Sequence, residues 1–469
     1  MFVRCTICCA LIASAMTFAA AQDNPRVTET TRLVQKCLPA VVSLPMVTPG
    51  EKPGTQTVHF GSGTVISPSG YVLTNAHVVK NFKEGPALFA GNRVLKYQTI
   101  CTIPHSDLAV LKLQTEQPLA ALPIGRSHDL MLGEPTLVIG NAGELAHSAS
   151  TGIVSGLARS TRTEQAILPD VIQTDAAING GNSGGPLINA LGELIGVVSS
   201  KKQNADNVGF AIAADHVRVI LPAVLKPEDR YNFWFGAQAD PLASNCHISD
   251  LQAGSPAAEA GLQREDKLLR VNEEPVHSAI DLALVLINKK AGQVLPLLVE
   301  REGKKLELQC ELKPLQLPEP MKDENLVAGL LRKEYAGQWP AIPDFASLKP
   351  VAETIVENVG EEKRFNYAFQ YAGFLKIAEE GLYSFVLRSD DGSRLRIANR
   401  LIADNDGPHA IRDVTGVIRL PAGLHPIDVE FFQGAGETEL KLFWEGPGIS
   451  WQQVPKEVLF AKKGEEMQK

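Results

Sequence analysis

"TDAAINGGNSGGPLIN", residues 174–189, sets four glycines around a single serine, Ser183. Ordering a glycine costs more backbone entropy than ordering any other residue, so a cluster marks an unusual main-chain path. One reading is a tight turn between two strands. The other is a turn that exposes the Ser183 hydroxyl and aims backbone N–H groups at something beside it. A serine hydroxyl is a weak nucleophile at its free pKa. It needs a base within hydrogen-bond reach, and that base needs an orienting group. Both stand upstream. His77 lies in "LTNAHVV", where a hydrophobic strand turns, and Asp107 lies in "PHSDLAVLKL", just before another. His105 is a rival base, without the strand-then-turn setting of His77.

Working outward, the 469-residue length suggests roughly three domains. An apolar fraction of 44% and a charged fraction of 21% are ordinary for folded protein. The net charge of −8, with no Lys/Arg block, argues against a nucleic-acid partner. Residues 1–21 read as an export signal: Arg4, the short apolar run "CTICCALIASAMTFAA", then Ala19, Ala20 and Ala21 before Gln22. The expected location is the periplasm or the exterior. Of seven cysteines, three (Cys5, Cys8, Cys9) lie in that leader. Cys37, Cys101, Cys246 and Cys310 remain, and spacing leaves three pairings open. Two fall in each of the first two units, which makes Cys37–Cys101 and Cys246–Cys310 the pairing to test. No C-x-x-C or H-E-x-x-H motif calls for a metal centre, and no cofactor is expected for catalysis.

Residues 22–224 are rich in short Val/Ile/Leu runs punctuated by Gly and Pro, the pattern of a barrel or sandwich, after a short N-terminal helix. Residues 228–313 form a compact unit with strands near "CHISDL" and "KLLRVN". A helix follows near "SAIDLALVLINKK", then a strand pair turned at Glu302-Gly303. Residues 314–325 are a Pro-rich linker. Residues 326–462 are again strand-rich. There "GLYSFVLRSDDGSRLRIANR" reads as a hairpin turned near Asp391-Gly392, and alternation in "YSFVLR" and "IDVEFF" predicts a two-sheet sandwich.

The order His77, Asp107, Ser183 is that of chymotrypsin-type double β-barrels, unlike subtilisin or the α/β-hydrolases. With "TNAHVV", "SDLAVLKL" and "TDAAINGGNSGGPLIN" in this order and spacing, residues 30–222 resemble the HtrA (Deg) family of trypsin-like serine proteases. The resemblance implies Ser183 as nucleophile, His77 as general base then acid, and Asp107 as the group holding the imidazole tautomer. It implies an oxyanion hole from the amides of Gly181 and Ser183. Side chains at 180, 181, 184 and 185 are expected to obstruct the turn or the approach of a carbonyl. It also implies unfolded protein or peptide substrates, aliphatic preference before the cleaved bond, and homotrimers. No acid is evident in "GVVSS" to favour Lys or Arg. Two departures bear on the resting state. Gly180 stands where many relatives carry proline, and residues 140–150 lack the usual proline and phenylalanine. Loops that sample inactive geometries are the expectation.

"GSPAAEAGLQREDKLLRVNEEPV", residues 254–276, resembles a PDZ domain, with Glu265 in place of a usual glycine. By position, Phe235, Gly236 and Ala237 of "WFGA" would capture a peptide C-terminus. Residues 326–460 resemble a PA14 β-sandwich, some members of which bind carbohydrate, so a glycan or envelope tether is implied. Asp390 and Asp391 match the aspartates that grip calcium in adhesin relatives, with Asp404 and Asp406 as further candidate ligands. The plain alternative is a solvated Asp-Asp-Gly turn. The fold class expected is mainly β: a chymotrypsin-like double barrel, an α+β PDZ unit and a PA14-like sandwich. The function expected is exported serine endopeptidase of misfolded protein. The alternatives are a latent-protease or chaperone-like scaffold and a glycan-binding adhesin.

Overall fold

The computed structural model describes residues 24, 26–49, 55–80, 82–142, 145–162, 167–201, 207–322 and 325–463. The leader, residues 1–21, lies outside the described residues. The helix Glu29–Cys37 opens the chain, capped where Thr28 Oγ1 accepts from Thr31 N. Twelve strands then close into two six-stranded barrels. The first runs, in spatial order, Val41–Pro49, Gln56–Ser67, Tyr71–Thr74, Leu108–Leu113, Val94–Ile103 and Glu84–Phe89. The pairing Val42↔Phe89 closes it. The second runs Pro186–Ile188, Leu194–Lys201, Gly209–Ala213, Ile167–Thr174, Leu145–Arg162 and Pro135–Ala142. Val42, Leu44, Val65, Val72 and Leu111 fill one interior, and Val138, Val154, Ile172 and Ile195 the other. Burying such a side chain fully contributes roughly 1.5–3 kcal/mol relative to exposure. This is the chymotrypsin-like arrangement that the residue order implies.

The helix Ala214–Leu225 leaves the second barrel and ends at Lys226 in the left-handed region. The short helix Pro227–Tyr231 follows, and then an α+β unit. Its four-stranded sheet has the order Glu274–Pro275, Lys267–Val271, Val294–Arg301, Lys304–Glu311. A two-stranded pair, Ala237–Ala239 with Ile248–Leu251, and the helix Ala279–Leu286 complete it. The expected turn at Glu302-Gly303 is present, with φ values of 49° and 75°. That is the left-handed pair a two-residue hairpin needs.

The sandwich stacks an eight-stranded sheet on a four-stranded one. Here one expectation fails. The strands Gly381–Asp390 and Ser393–Ile397 do not form a hairpin. Gly381–Asp390 pairs with Arg412–Leu420 and Glu439–Gly446 in one sheet. Ser393–Ile397 pairs with Arg400–Asn405 and Gly423–Gln433 in the other. The Asp390–Asp391–Gly392 turn therefore crosses between sheets. Phe385 and Leu387 on one strand share a core with Leu395 and Ile397 on the next.

The cysteine pairing also fails. Cys37, Cys101, Cys246 and Cys310 are all free thiols. Cys37 belongs to the first-barrel core, whereas Cys101 packs against a different cluster. Cys246 and Cys310 share the core of the α+β unit. Burial pushes all four thiols up, which leaves them inert.

The helix Ala214–Leu225 is the hub of the three units. Its Val217, Leu221 and Val224 share one buried cluster with Leu284 of the helix Ala279–Leu286 and Val417 of the sandwich. Among the described residues, no helix is long and apolar enough to cross a membrane.

Candidate active site

The strand Tyr71–Thr74 ends in a turn that carries His77, and the 3₁₀ turn Pro104–Ser106 delivers Asp107 at φ 49°. A non-glycine residue held there is unusual and clusters at functional sites. Asp107 is 1% exposed, so its carboxylate must be satisfied by protein donors. It is. His77 Nδ1 lies 2.8 and 2.9 Å from its two oxygens, and His77 N donates to Oδ1 at 3.1 Å. Ser199 Oγ donates to Oδ2 at 2.7 Å, and Asn75 Nδ2 to the Asp107 carbonyl at 2.8 Å. An ionised carboxylate only accepts, so Nδ1 carries the proton and Nε2 is left as the acceptor.

Ser183 lies between Gly181, at φ 95°, and Gly184, at φ 83°. A Cβ at Gly181 would lie 1.9 Å from the Asn141 carbonyl oxygen, and one at Gly184 2.2 Å from that of Ser62. At Gly185 it would meet the Ile139 carbonyl at 2.8 Å. Three of the four glycines are therefore required by close approach. Gly180 is not: a Cβ there meets nothing within 4 Å, so the turn itself does not demand glycine at that position. Among the described residues, the Gly181 and Ser183 amides donate to no protein acceptor. The Ser183 hydroxyl donates to the Ser199 carbonyl at 3.0 Å and makes no hydrogen bond to His77.

Two residues went unread in the sequence. Ser62, in "GSGTVIS", joins the site's loops. Its amide donates to the Ser183 carbonyl at 2.8 Å and its Oγ to the Gly181 carbonyl at 2.7 Å, while Asn141 N donates to Oγ at 2.9 Å. Ser199, in "GVVSS", braces Asp107 and receives the Ser183 hydroxyl. A serine in the strand after the nucleophile loop was the available signal. His105 is excluded as a base. It is buried, hydrogen-bonded to Thr415 of the sandwich and stacked on Trp451 at 6.1 Å. Burial pushes it down to about 4.

In the α+β unit, the amides of Phe235 and Gly236 both donate to Glu228 Oε1, at 2.5 and 2.7 Å. Ala237 begins the strand next to the helix Ala279–Leu286. In the sandwich, Asp390 and Asp391 are adjacent and each 6% exposed, joined by a cis peptide bond. Asp391 Oδ1 and Oδ2 accept from the amides of His409 and Gly434. Burial, and then the neighbouring Asp391, push Asp390 up to about 6. Asp404 and Asp406 are paired with Arg394 and do not join them. Among the described residues no group of three or more His, Cys, Asp or Glu side chains could hold a metal. Calcium takes 6–8 oxygens, so the two carboxylates alone, one of them already held by amides, do not complete such a shell.

These barrels, with a buried Asp–His pair beside a glycine-framed serine, define a trypsin-like serine peptidase followed by an α+β unit and a β-sandwich. The chain matches the Trypsin-like peptidase domain over residues 61–197, the PDZ domain over 199–300 and the PA14 domain over 351–457. It is 31% identical over 261 residues to the serine endoprotease DegS of Haemophilus influenzae, covering 54% of this chain and 76% of that one. It is 34% identical over 283 residues to a probable periplasmic DegP-like serine endoprotease of Pseudomonas fluorescens, covering 57% of this chain and 58% of the relative. Among solved structures, the HtrA-type protease AlgW with decapeptide matches at 26% identity and a TM-score of 0.38. That match covers 62% of this chain and 100% of that one. The chain belongs to the HtrA family of trypsin-like serine endoproteases.

Proposed function

We propose that this chain is an exported serine endopeptidase that cleaves misfolded or damaged protein through Ser183, His77 and Asp107. The observation that carries the reading is the buried Asp107 carboxylate clasping His77 Nδ1 at 2.8 Å, beside a serine loop with two uncommitted amides. Ser183 Oγ attacks the scissile carbonyl as His77 Nε2 takes its proton. Asp107 stays ionised and stabilises the imidazolium. The Gly181 and Ser183 amides bind the oxyanion. His77 then returns its proton to the leaving amine. Before attack, the Ser183 hydroxyl must turn from the Ser199 carbonyl toward His77. Such bonds often form only with substrate in place.

The Phe235–Ala237 loop captures peptide C-termini, and the PA14-like unit tethers the enzyme to a glycan or envelope component. The DegP-like relatives named periplasmic support export. Trimers are the assembly the family implies. For Asp390 and Asp391 we favour a structural part in the turn, and unchanged melting and glycan binding on EDTA treatment are the expected results. A latent-protease scaffold is the second reading, favoured by the Ser183 hydroxyl resting on Ser199. Casein degradation with mass-spectrometric mapping decides between them. The wild type should cut, mainly after aliphatic residues, and Ser183→Ala should not. No cleavage by either supports the scaffold.

A further inference from the structure

Peptide C-termini are captured where consecutive main-chain amides of a turn meet one carboxylate. In this chain the receptor is already filled from within. Phe235 N and Gly236 N converge on Glu228 Oε1, and no other acceptor takes either amide among the described residues. We infer that Glu228 is a resident stand-in for a peptide C-terminus, keeping the PDZ carboxylate loop closed until a peptide with a free carboxylate and an apolar last residue displaces it. This rests on reading Phe235–Ala237 as a peptide-capturing loop.

Glu228 is well placed for the part. Its helix, Pro227–Tyr231, is bounded by Lys226 at φ 33° and Asn232 at φ 55°. The carboxylate therefore hangs from a short, fixed element only seven residues from the first amide. Tethering so close gives it a high effective concentration, which an incoming peptide must exceed. The sandwich holds the helix in place, since Arg419 N donates to Asp229 Oδ1 at 3.0 Å. Burial pushes Glu228 up even though two amides oppose the shift.

The space beyond Glu228 suits an extended chain end. A cavity of about 720 Å³ runs from Glu228 along Ala237 and Ala239, with Leu282, Leu286 and Ile418 on its other walls. Among the described residues, the strand Ala237–Ala239 pairs only with Ile248–Leu251, so one edge is free to take an added strand. Polar groups such as Gln238 and Gln252 also line it, and Leu282, Leu286 and Ile418 offer an aliphatic terminal side chain its apolar contacts.

The test uses the full chain in the Ser183→Ala background, so that the probe is not cut. A fluorescent decapeptide ending in a free leucine carboxylate is titrated by anisotropy, alongside the same peptide as its C-terminal amide. Glu228→Ala should bind the acid at least tenfold more tightly than its parent and gain nothing for the amide. Glu228→Gln, which keeps an acceptor but loses the charge, should fall between and carries the test if the alanine variant folds poorly. Hydrogen exchange at Phe235 and Gly236 should quicken in both variants. Equal affinity of parent and variants for the acid overturns the inference and leaves the peptide-groove reading standing. An equal gain for acid and amide overturns the carboxylate mimicry. No binding to any variant, with exchange quickened, removes the peptide-groove reading and the inference together.

Discussion

The serine loop at residues 181–185 and the PDZ loop at residues 235–237 are built alike and stand in opposite states. Each carries a glycine at positive φ beside the amides in question, Gly181 at 95° and Gly236 at 79°. At the serine loop those amides are uncommitted. At the PDZ loop they hold Glu228. One sandwich strand, Arg412–Leu420, reaches the surroundings of both. Thr415 bonds His105, two residues before Asp107, and Arg419 bonds Asp229, next to Glu228. The lesson is that two turns of similar build differ in what lies beside them rather than in their own residues.

The comparison breaks most visibly at Gly181. Gly181→Ala must place a Cβ 1.9 Å from a carbonyl oxygen, at a φ that alanine resists. Casein turnover should drop by at least roughly 100–1,000-fold, the loss typical of a missing oxyanion donor. Ser199→Ala comes next. It removes one donor to the buried Asp107 carboxylate, and a hydrogen bond to a charged group contributes about 1.5–3 kcal/mol, so kcat should fall roughly 10- to 100-fold with KM little changed.

A smaller effect comes from pH. Burial holds His105 down at about 4, opposed by Asp413 and helped by His216 and Arg388. The unfolded chain protonates this group near 6.5. Its contribution is therefore complete above that pH and is lost as pH falls from about 6.5 to 4. Thermal melting of the full chain should decline across that window, with a flatter slope in His105→Gln. The smallest effect belongs to Gly180→Ala, where a Cβ meets open space and turnover should stay within about twofold.

The serine loop was legible in the sequence because its chemistry is local: a hydroxyl, a cluster of glycines, and two partners each marked by an adjoining hydrophobic strand. What escaped was geometry set by distant chain. Ser62 and Ser199 look like ordinary strand serines until the barrels bring them to Ser183 and Asp107. "RSDDGSR" reads as a hairpin because both flanks alternate. Strand partners as distant as Glu445 for Ser384 decide otherwise, and the turn bridges two sheets. Glu228 carried no signal of its own in the sequence. Its contact is short in sequence but depends on two left-handed residues and on a sandwich nearly 200 residues downstream.

The account turns on whether His77 activates Ser183. Intact-mass analysis after exposure to diisopropyl fluorophosphonate reads this directly, with the adduct located by peptide mapping. One adduct, on Ser183, should form in the wild type and be lost in His77→Ala. An unlabelled wild type, or labelling of Ser183 that proceeds equally well without His77, would contradict it.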